Sequence, residues 1–320
     1  MELPTALRRA IDRELDGVSL NDLSAAALAL SECYRSEQLD SKLRIVTRQD
    51  ALAYVATRLP ATYAAVRAAF SATAERLPDF APRTLLDIGS GPGTALWAAA
   101  ECWPAVAEAL LVEASPVFVT LGTALAAEAT LPRHQWRRAD IAVDGIDAGP
   151  HDLVTATYVL NELGPQVRTR TIERLWAATS GVMIIVEPGT PAGWRRIIDA
   201  RALLIAAGGH VVAPCPHDQA CPLRAPDWCH FAERVARSRQ HRLAKGADVP
   251  WEDEKFSYVA VSRSPPANPA SRIIARPRKA GGHVTLKLCK PDGNAQAEVF
   301  SRRDGDAFKR TRRRDWGDTF

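Results

Sequence analysis

Two hydrophobic rhythms divide this chain. Through about residue 80, apolar positions recur every three or four residues, as in 21-NDLSAAALALSECYRS-36 and 50-DALAYVATRLPATYAAVRAAFSAT-73, which predicts amphipathic helices. Asn21 or Asp22 and Asp50 are candidate N-caps, and Pro60 should break or kink the second stretch. From Pro82 short apolar runs alternate with helical ones. The runs TLLDIG (84–89), ALLVEA (109–114), HDLVTATYVL (151–160), GVMIIVEP (181–188) and GHVVAP (209–214) predict strands. Segments 93–107, 116–130, 164–179 and 190–207 suit helices between them. This alternation predicts an α/β unit whose parallel sheet is covered on both faces. A final run, FSYVAVSR (256–263), predicts an edge strand.

Between Pro214 and about Pro250 the rhythm fails. The segment carries three cysteines, three histidines and a basic stretch, 231-FAERVARSRQHRLAK-245, that reads as helical, so it resembles an insertion ahead of the last strand. After the proline-rich 264-SPPANPAS-271, VTLKL (284–288), a PDG turn and AEVFS (297–301) predict a β-hairpin. The expected organisation is an N-terminal helical region (1–80), a sheet domain (81–263) with an insertion at 214–250, and a basic C-terminal β module and tail (264–320). No internal repeat is present.

Bulk composition changes this picture little. The 320 residues are 47% hydrophobic and 24% charged, and no apolar run approaches the roughly 20 residues that span a bilayer. The first residues, MELPTALRRAIDRELDG, mix acids with bases and lack an apolar signal core, so a cytoplasmic setting is expected. There the six cysteines would be thiols or ligands rather than disulfides. Charge is uneven: residues 264–320 hold 13 Lys+Arg against 6 Asp+Glu, leaving 28 against 31 in the rest. A basic tail on a mildly acidic body is the footprint of a nucleic-acid binder, with a merely solvated basic surface as the alternative.

In 87-DIGSGPGT-94 an apolar strand runs into Asp87, then Gly89, Gly91 and Gly93, then a helix. Glycines let the backbone approach a ligand, and the helix N-terminus that follows attracts negative charge. Alone this is a weak signal. It is strengthened by Glu113, about 20 residues on at the next strand's end, where an acid can grip ribose hydroxyls. Asp140 falls where such folds contact adenine, and Asn161 with Glu162 lies at the mouth of the fourth strand. The layout resembles class I S-adenosylmethionine-dependent methyltransferases and implies that Asp87, Gly89, Gly91, Gly93, Glu113, Asp140 and Asn161 hold that cofactor. Catalytic residues are not identified. The aromatic motif that amino-methylating enzymes carry after the fourth strand is replaced by 161-NELG-164, and no cysteine occupies a position suited to adding to a pyrimidine.

Cys215, Cys221 and Cys229 cluster in 214-PCPHDQACPLRAPDWCHF-231, and Cys289 stands alone before the PDG turn. Thiolate sets suit zinc or iron–sulfur centres. The gaps are wider than those of structural zinc sites, whereas iron–sulfur clusters tolerate irregular spacing. Cys289 is the natural fourth ligand, which would clamp the β module onto the body. His217 and His230 are alternative ligands, while Cys33 and Cys102 sit in predicted helices.

Taken together, C-P-H-x-x-x-C-P-L, W-C-H-F, 252-EDEKFSYVAVSR-263, the lone cysteine before PDG and the terminal WGD resemble one family. It is that of the methyltransferase-like assembly factors of the small ribosomal subunit, the family of mitochondrial methyltransferase-like protein 17 and its bacterial relatives. The resemblance spans roughly residues 20–320. It implies a class I methyltransferase Rossmann-like fold, a 4Fe–4S cluster on Cys215, Cys221, Cys229 and Cys289, with zinc as the alternative metal, and binding to small-subunit rRNA. Two functions follow: an rRNA-binding assembly factor, or an active RNA or protein methyltransferase in translation. No membrane association is expected, and a monomer is expected away from the ribosome.

Overall fold

The computed structural model describes residues 1–36, 45–145 and 147–320, and the helical reading across 37–44 lies outside the described residues. The N-terminal region comprises α1 (Thr5–Leu15), α2 (Leu20–Ser36), α3 (Arg48–Thr57) and α4 (Leu59–Arg76). The break falls at Arg58, and Pro60 stands in the first turn of α4, where its missing N–H is no loss. The expected caps are corrected. The Ser19 hydroxyl accepts from the Asp22 N–H at the start of α2. Thr47 caps α3, and Asp50 closes its capping box from within the first turn.

The sheet domain follows as β1 (Thr84–Ile88), α5 (Thr94–Cys102), β2 (Glu108–Glu113), α6 (Pro116–Ala126), β3 (Arg133–Arg138), β4 (His151–Thr157), α7 (Pro165–Ala177), β5 (Thr179–Pro188), α8 (Pro191–Ala206) and β6 (His210–Ala213). β7 (Phe231–Ala236), α9 (Arg239–Lys245) and β8 (Trp251–Ser262) complete it. Strand order is β3-β2-β1-β4-β5-β8-β6, parallel from β3 to β5, with β8 antiparallel to both its neighbours. This is a Rossmann-like class I methyltransferase fold. Successive strand residues serve opposite faces. Leu85, Leu153 and Ile184 join the core beneath α1–α6, while Leu86, Val154 and Ile185 join the core beneath α7 and α8. No described helix is long and apolar enough to cross a membrane.

Three strand expectations change. Polar RHQWRR forms β3, which needs little apolar content because it is the sheet's exposed margin. The run 256–263 belongs to an interior strand, since β6 lies beyond it. The basic stretch 231–245 is a helix only from Arg239. Its first part is β7, with Phe231 and Val235 buried against β8 in antiparallel register.

β6 and β7 both line the edge of β8 opposite β5: β6 pairs with Ala260–Ser262 and β7 with Trp251–Phe256. The chain between them must leave the sheet and return, and that excursion carries three cysteines. A second sheet is built from β9 (Arg272–Ile273), β10 (Arg278–Ala280), β11 (His283–Cys289) and β12 (Ala295–Ser301), followed by α10 (Asp306–Thr311). Its own core is small: Ile273, Val284, Leu286 and Leu288, with Phe300, Phe308 and Phe320 against them.

Candidate functional site: a cysteine-lined cavity and a glycine loop

The four cysteines meet where the two sheets touch. Cys215 follows β6, Cys221 lies in the excursion, Cys229 precedes β7, and Cys289 ends β11. All four line one cavity with Trp194, Ile197, Ile198 and Arg201 of α8. The sulfurs are close enough to interact electrostatically, Cys229 with Cys215, Cys221 and Cys289. Burial pushes the Cys289 thiol up to about 12 and raises Cys215 and Cys229 too, with the neighbouring sulfurs adding to it. Among the described residues, no three Cys, His, Asp or Glu side chains form a group that could hold a single metal ion.

The wall around the sulfurs is rich in N–H donors. His217 is buried, with its Nε2 3.5 Å from the Cys289 sulfur. His230 instead stacks on Trp228 at 5.1 Å and meets Trp316 edge-on at 4.9 Å. Arg201 and Trp194 escaped the sequence reading, because nothing in a helical period marks a buried arginine. Cys33 and Cys102 lie on α2 and α5, away from the cavity lining.

The seam is tied by polar contacts. Arg272, almost wholly buried, donates from Nε to the Pro214 carbonyl (3.3 Å) and from a terminal nitrogen to Gly317 (2.6 Å). Lys287 of β11 pairs with Asp227 of the excursion. Thr319 donates to Glu75 of α4 at 2.7 Å.

The glycine loop lies at the carboxyl ends of β1, β2 and β4. Gly89, Gly91 and Gly93 have φ of +61°, +52° and +87°, the left-handed region that favours glycine. Glu113 is buried: one carboxylate oxygen accepts from the Gly91 N–H and the other from Ser115, both at 2.8 Å. Burial raises its pKa against those two bonds. Asp87 accepts from Thr155 at 2.7 Å, and its second oxygen has no partner. The hydroxyls of Ser90 and Thr94 and the amide oxygen of Asn161 are also buried and unpaired. These orphaned polar atoms fit a polar ligand seated on the loop. Asp140 is exposed, in the turn after β3, where it accepts from Ala142. Tyr158, the residue after β4, takes φ +59° and donates to Glu254 at 3.0 Å. A non-glycine in that region of backbone space is strained. Tyr54 of α3 packs on Phe118 at 5.0 Å, and Phe118 is the nearest side chain to Gly91.

Comparison with known proteins gives a family. Residues 48–320 match the model described as mitochondrial small ribosomal subunit Rsm22. The chain is 32% identical over 285 residues to human "Ribosome assembly protein METTL17, mitochondrial", covering 83% of this chain and 61% of the relative. It is 23% identical to "Rsm22-cox11 tandem protein 2, mitochondrial" of Schizosaccharomyces pombe, covering 88% and 44%. The chain thus spans less than two thirds of the curated relatives it matches. Among solved structures, magnesium protoporphyrin IX methyltransferase of Synechocystis aligns with TM-score 0.42 and 13% identity, covering 76% of this chain and all of that one. A TehB-like S-adenosylmethionine-dependent methyltransferase of Corynebacterium glutamicum aligns with TM-score 0.38 and 18% identity, covering 60% and 86%. The cytoplasmic setting expected from the sequence is overturned by the mitochondrial descriptions of the family and its relatives. The charged side chains Arg8, Arg9, Asp12 and Arg13 that suggested that setting form the exposed side of α1, whose Leu7, Ala10, Ile11 and Leu15 pack into the core.

Desolvation pushes the Asp87 carboxyl from 3.8 up to about 7, despite the bond from Thr155. A carboxyl raised in the folded chain binds its proton more tightly there than when unfolded. Its contribution is therefore lost as pH climbs from the unfolded value through the folded one. Glu187, also raised to about 7 by burial, acts in the same direction. Asp87→Asn should flatten the fall in melting temperature between about pH 4 and 7, read by calorimetry. Parallel pH profiles for the two proteins would refute the assignment.

Proposed function

Since the chain belongs to the Rsm22 family of the mitochondrial small ribosomal subunit, we propose that it is a small-subunit assembly factor. In this reading it binds rRNA and holds a 4Fe–4S cluster on Cys215, Cys221, Cys229 and Cys289. One observation carries it: three thiols from the excursion and one from β11 of the second sheet line a single cavity. A donor set of soft sulfurs spread around a cavity suits a multi-iron group better than one zinc ion, whose bonds of about 2.3 Å draw four sulfurs to a point. When bound, the cluster supplies iron–thiolate bonds that cross-link the sheets. The chain's residues do the rest. The excursion 214–230 wraps the cavity, Arg272 and Lys287 hold it to β9 and β11, and the second sheet presents the basic tail. There Arg302, Arg303, Lys309, Arg310, Arg312, Arg313 and Arg314 are all exposed. We assign these to phosphates of small-subunit rRNA, and the protein works as a monomer away from the ribosome.

A second reading, S-adenosylmethionine binding with methyl transfer, is favoured by the unpaired oxygens of Asp87, Ser90, Thr94 and Asn161. Asp87, the loop N–H groups, Glu113, Asp140 and Asn161 would hold the cofactor, which supplies an electrophilic methyl group when bound.

Protein purified without oxygen should be brown and contain iron and acid-labile sulfide. Serine at any one of the four cysteines should abolish the colour and expose 214–250 and 271–320 to protease, because ligation couples to folding. Serine at Cys33 or Cys102 should leave it. Colourless protein carrying stoichiometric zinc would end the cluster reading.

Charge carries the rRNA prediction. Each phosphate contact contributes about −0.9 to the slope of log affinity against log salt on duplex and about −0.7 on single strands. Replacing Arg312, Arg313 and Arg314 with glutamine should flatten that slope by about two to three units. An unchanged slope would leave the tail a solvated surface.

Calorimetry separates the second reading. Wild type should bind S-adenosylmethionine, and Gly91→Arg, whose side chain would fill the approach and strain φ +52°, should not. Labelled methyl groups appearing on immature small subunits would favour an active transferase, whereas binding without transfer would favour the assembly factor. Equal heats from both proteins would remove this site.

A further inference from the structure

Arg201 is a buried cation without an anion. It lies on α8 seven residues after Trp194, and both line the cysteine cavity. The residue is 4% exposed. A terminal nitrogen donates to the His217 carbonyl at 2.6 Å, its Nε–H has no partner, and among the described residues no carboxylate pairs with it. The indole N–H of Trp194 is likewise buried and unpaired. His217, fixed by Arg201 through its backbone, brings Nε2 to 3.5 Å from the Cys289 sulfur.

Nothing in a set of neutral thiols compensates a guanidinium taken out of water, and a buried charge left unpaired is strongly destabilising. Four thiolates around iron differ, because the assembled cluster carries net negative charge. Resting on the cluster reading above, we propose that Arg201 is the cluster's counter-cation and, with Trp194 and His217, forms an N–H cap that raises its reduction potential. One-electron reduction adds negative charge with no bond made or broken. A fixed cation and N–H donors to sulfur stabilise the reduced form more than the oxidised one. The three are positioning residues, and none is a ligand to iron.

The test uses the full chain purified without oxygen. Iron and sulfide are measured first. Wild type that carries neither ends the cluster reading, and this proposal with it. Loaded protein is then titrated with dithionite against redox mediators and followed by visible absorbance and electron paramagnetic resonance. At a fixed potential, the reduced-to-oxidised ratio of Arg201→Met should fall about tenfold, which for a one-electron couple is about 59 mV. Arg201→Lys, which keeps the charge, should stay within about threefold of wild type. Trp194→Phe removes only an N–H and should shift the ratio the same way by less, at full iron content. Arg195→Met, on the exposed side of α8, should titrate as wild type. Fully loaded Arg201→Met and Trp194→Phe with the wild-type ratio would overturn the proposal. If Arg201→Met fails to load, Trp194→Phe decides: a lowered ratio upholds the cap and an unmoved one overturns it.

Discussion

The second sheet has too little core to stand by itself. Four fully buried aliphatic residues, with three phenylalanines at their margin, are all that β9 to β12 enclose. A unit of that size falls below what apolar burial alone stabilises, so it depends on a staple or on a neighbour. The neighbour is the excursion from the large sheet. Leu223, Ile274 and Cys289 form the small apolar patch at the seam, with Cys221, Cys229 and Trp194 at its edge. Trp316 adds an aromatic contact with His230 and Phe231, and polar contacts complete the seam: Arg272 satisfies two carbonyls from a buried position, and Lys287 meets Asp227. Such a joint is specific in geometry and modest in apolar area, and the four thiols lie across it.

The same seam explains what the sequence displayed and what it concealed. Buried parallel strands read as apolar runs, so β1, β2, β4, β5 and β6 were visible with their intervening helices, and the glycine loop was visible in its turn residues. Position within a sheet is not written in composition. β8 looked like an edge strand because its apolar half resembles one, yet β6 closes over it on one side and β5 on the other. β3 is polar along its length, and Trp136 is its one large apolar residue. Phe231 to Ala236 carried helix-forming alanine and arginine, but pairing with Trp251–Phe256 overrode that propensity. The cysteines were legible as a set. Their companions Arg201 and Trp194 were not, since their partnership depends on which face of α8 meets a loop that arrives later in the chain.

At the other site, β3 turns out to shape the glycine loop. A Cβ on Gly93 would come within 3.1 Å of the Trp136 ring, and one on Gly122 of α6 would come within 2.6 Å of it. These glycines therefore admit an indole as well as bending the chain. Glu113 already engages both oxygens with backbone N–H groups, one of Gly91 in the loop and one of Ser115 ahead of α6. A ligand that takes ribose hydroxyls to this carboxylate must share those acceptors, which a carboxylate's several lone-pair sites allow. The unpaired atoms lie on Asp87, Ser90, Thr94 and Asn161, nearer the strand ends, so the polar demand of the site is concentrated there.

Charge on the tail is set by local bookkeeping within the second sheet. Only two acids, Asp304 and Asp306, interrupt the basic run from Arg302 to Arg314. Asp304 is engaged with Ser301, accepting from its N–H and, at 3.0 Å, from its hydroxyl. Asp306 is engaged with Lys309 at 2.9 Å, in an exposed pair that salt weakens. Neither acid neutralises an arginine. Arg302, Arg303, Arg312, Arg313 and Arg314 remain exposed, and Arg310 stands over the ring of Phe320 at 5.6 Å. β11 and β12 fix where that field points, and β11 ends at Cys289 in the wall of the cysteine-lined cavity. The strand that directs the basic surface is therefore the one whose end meets the excursion.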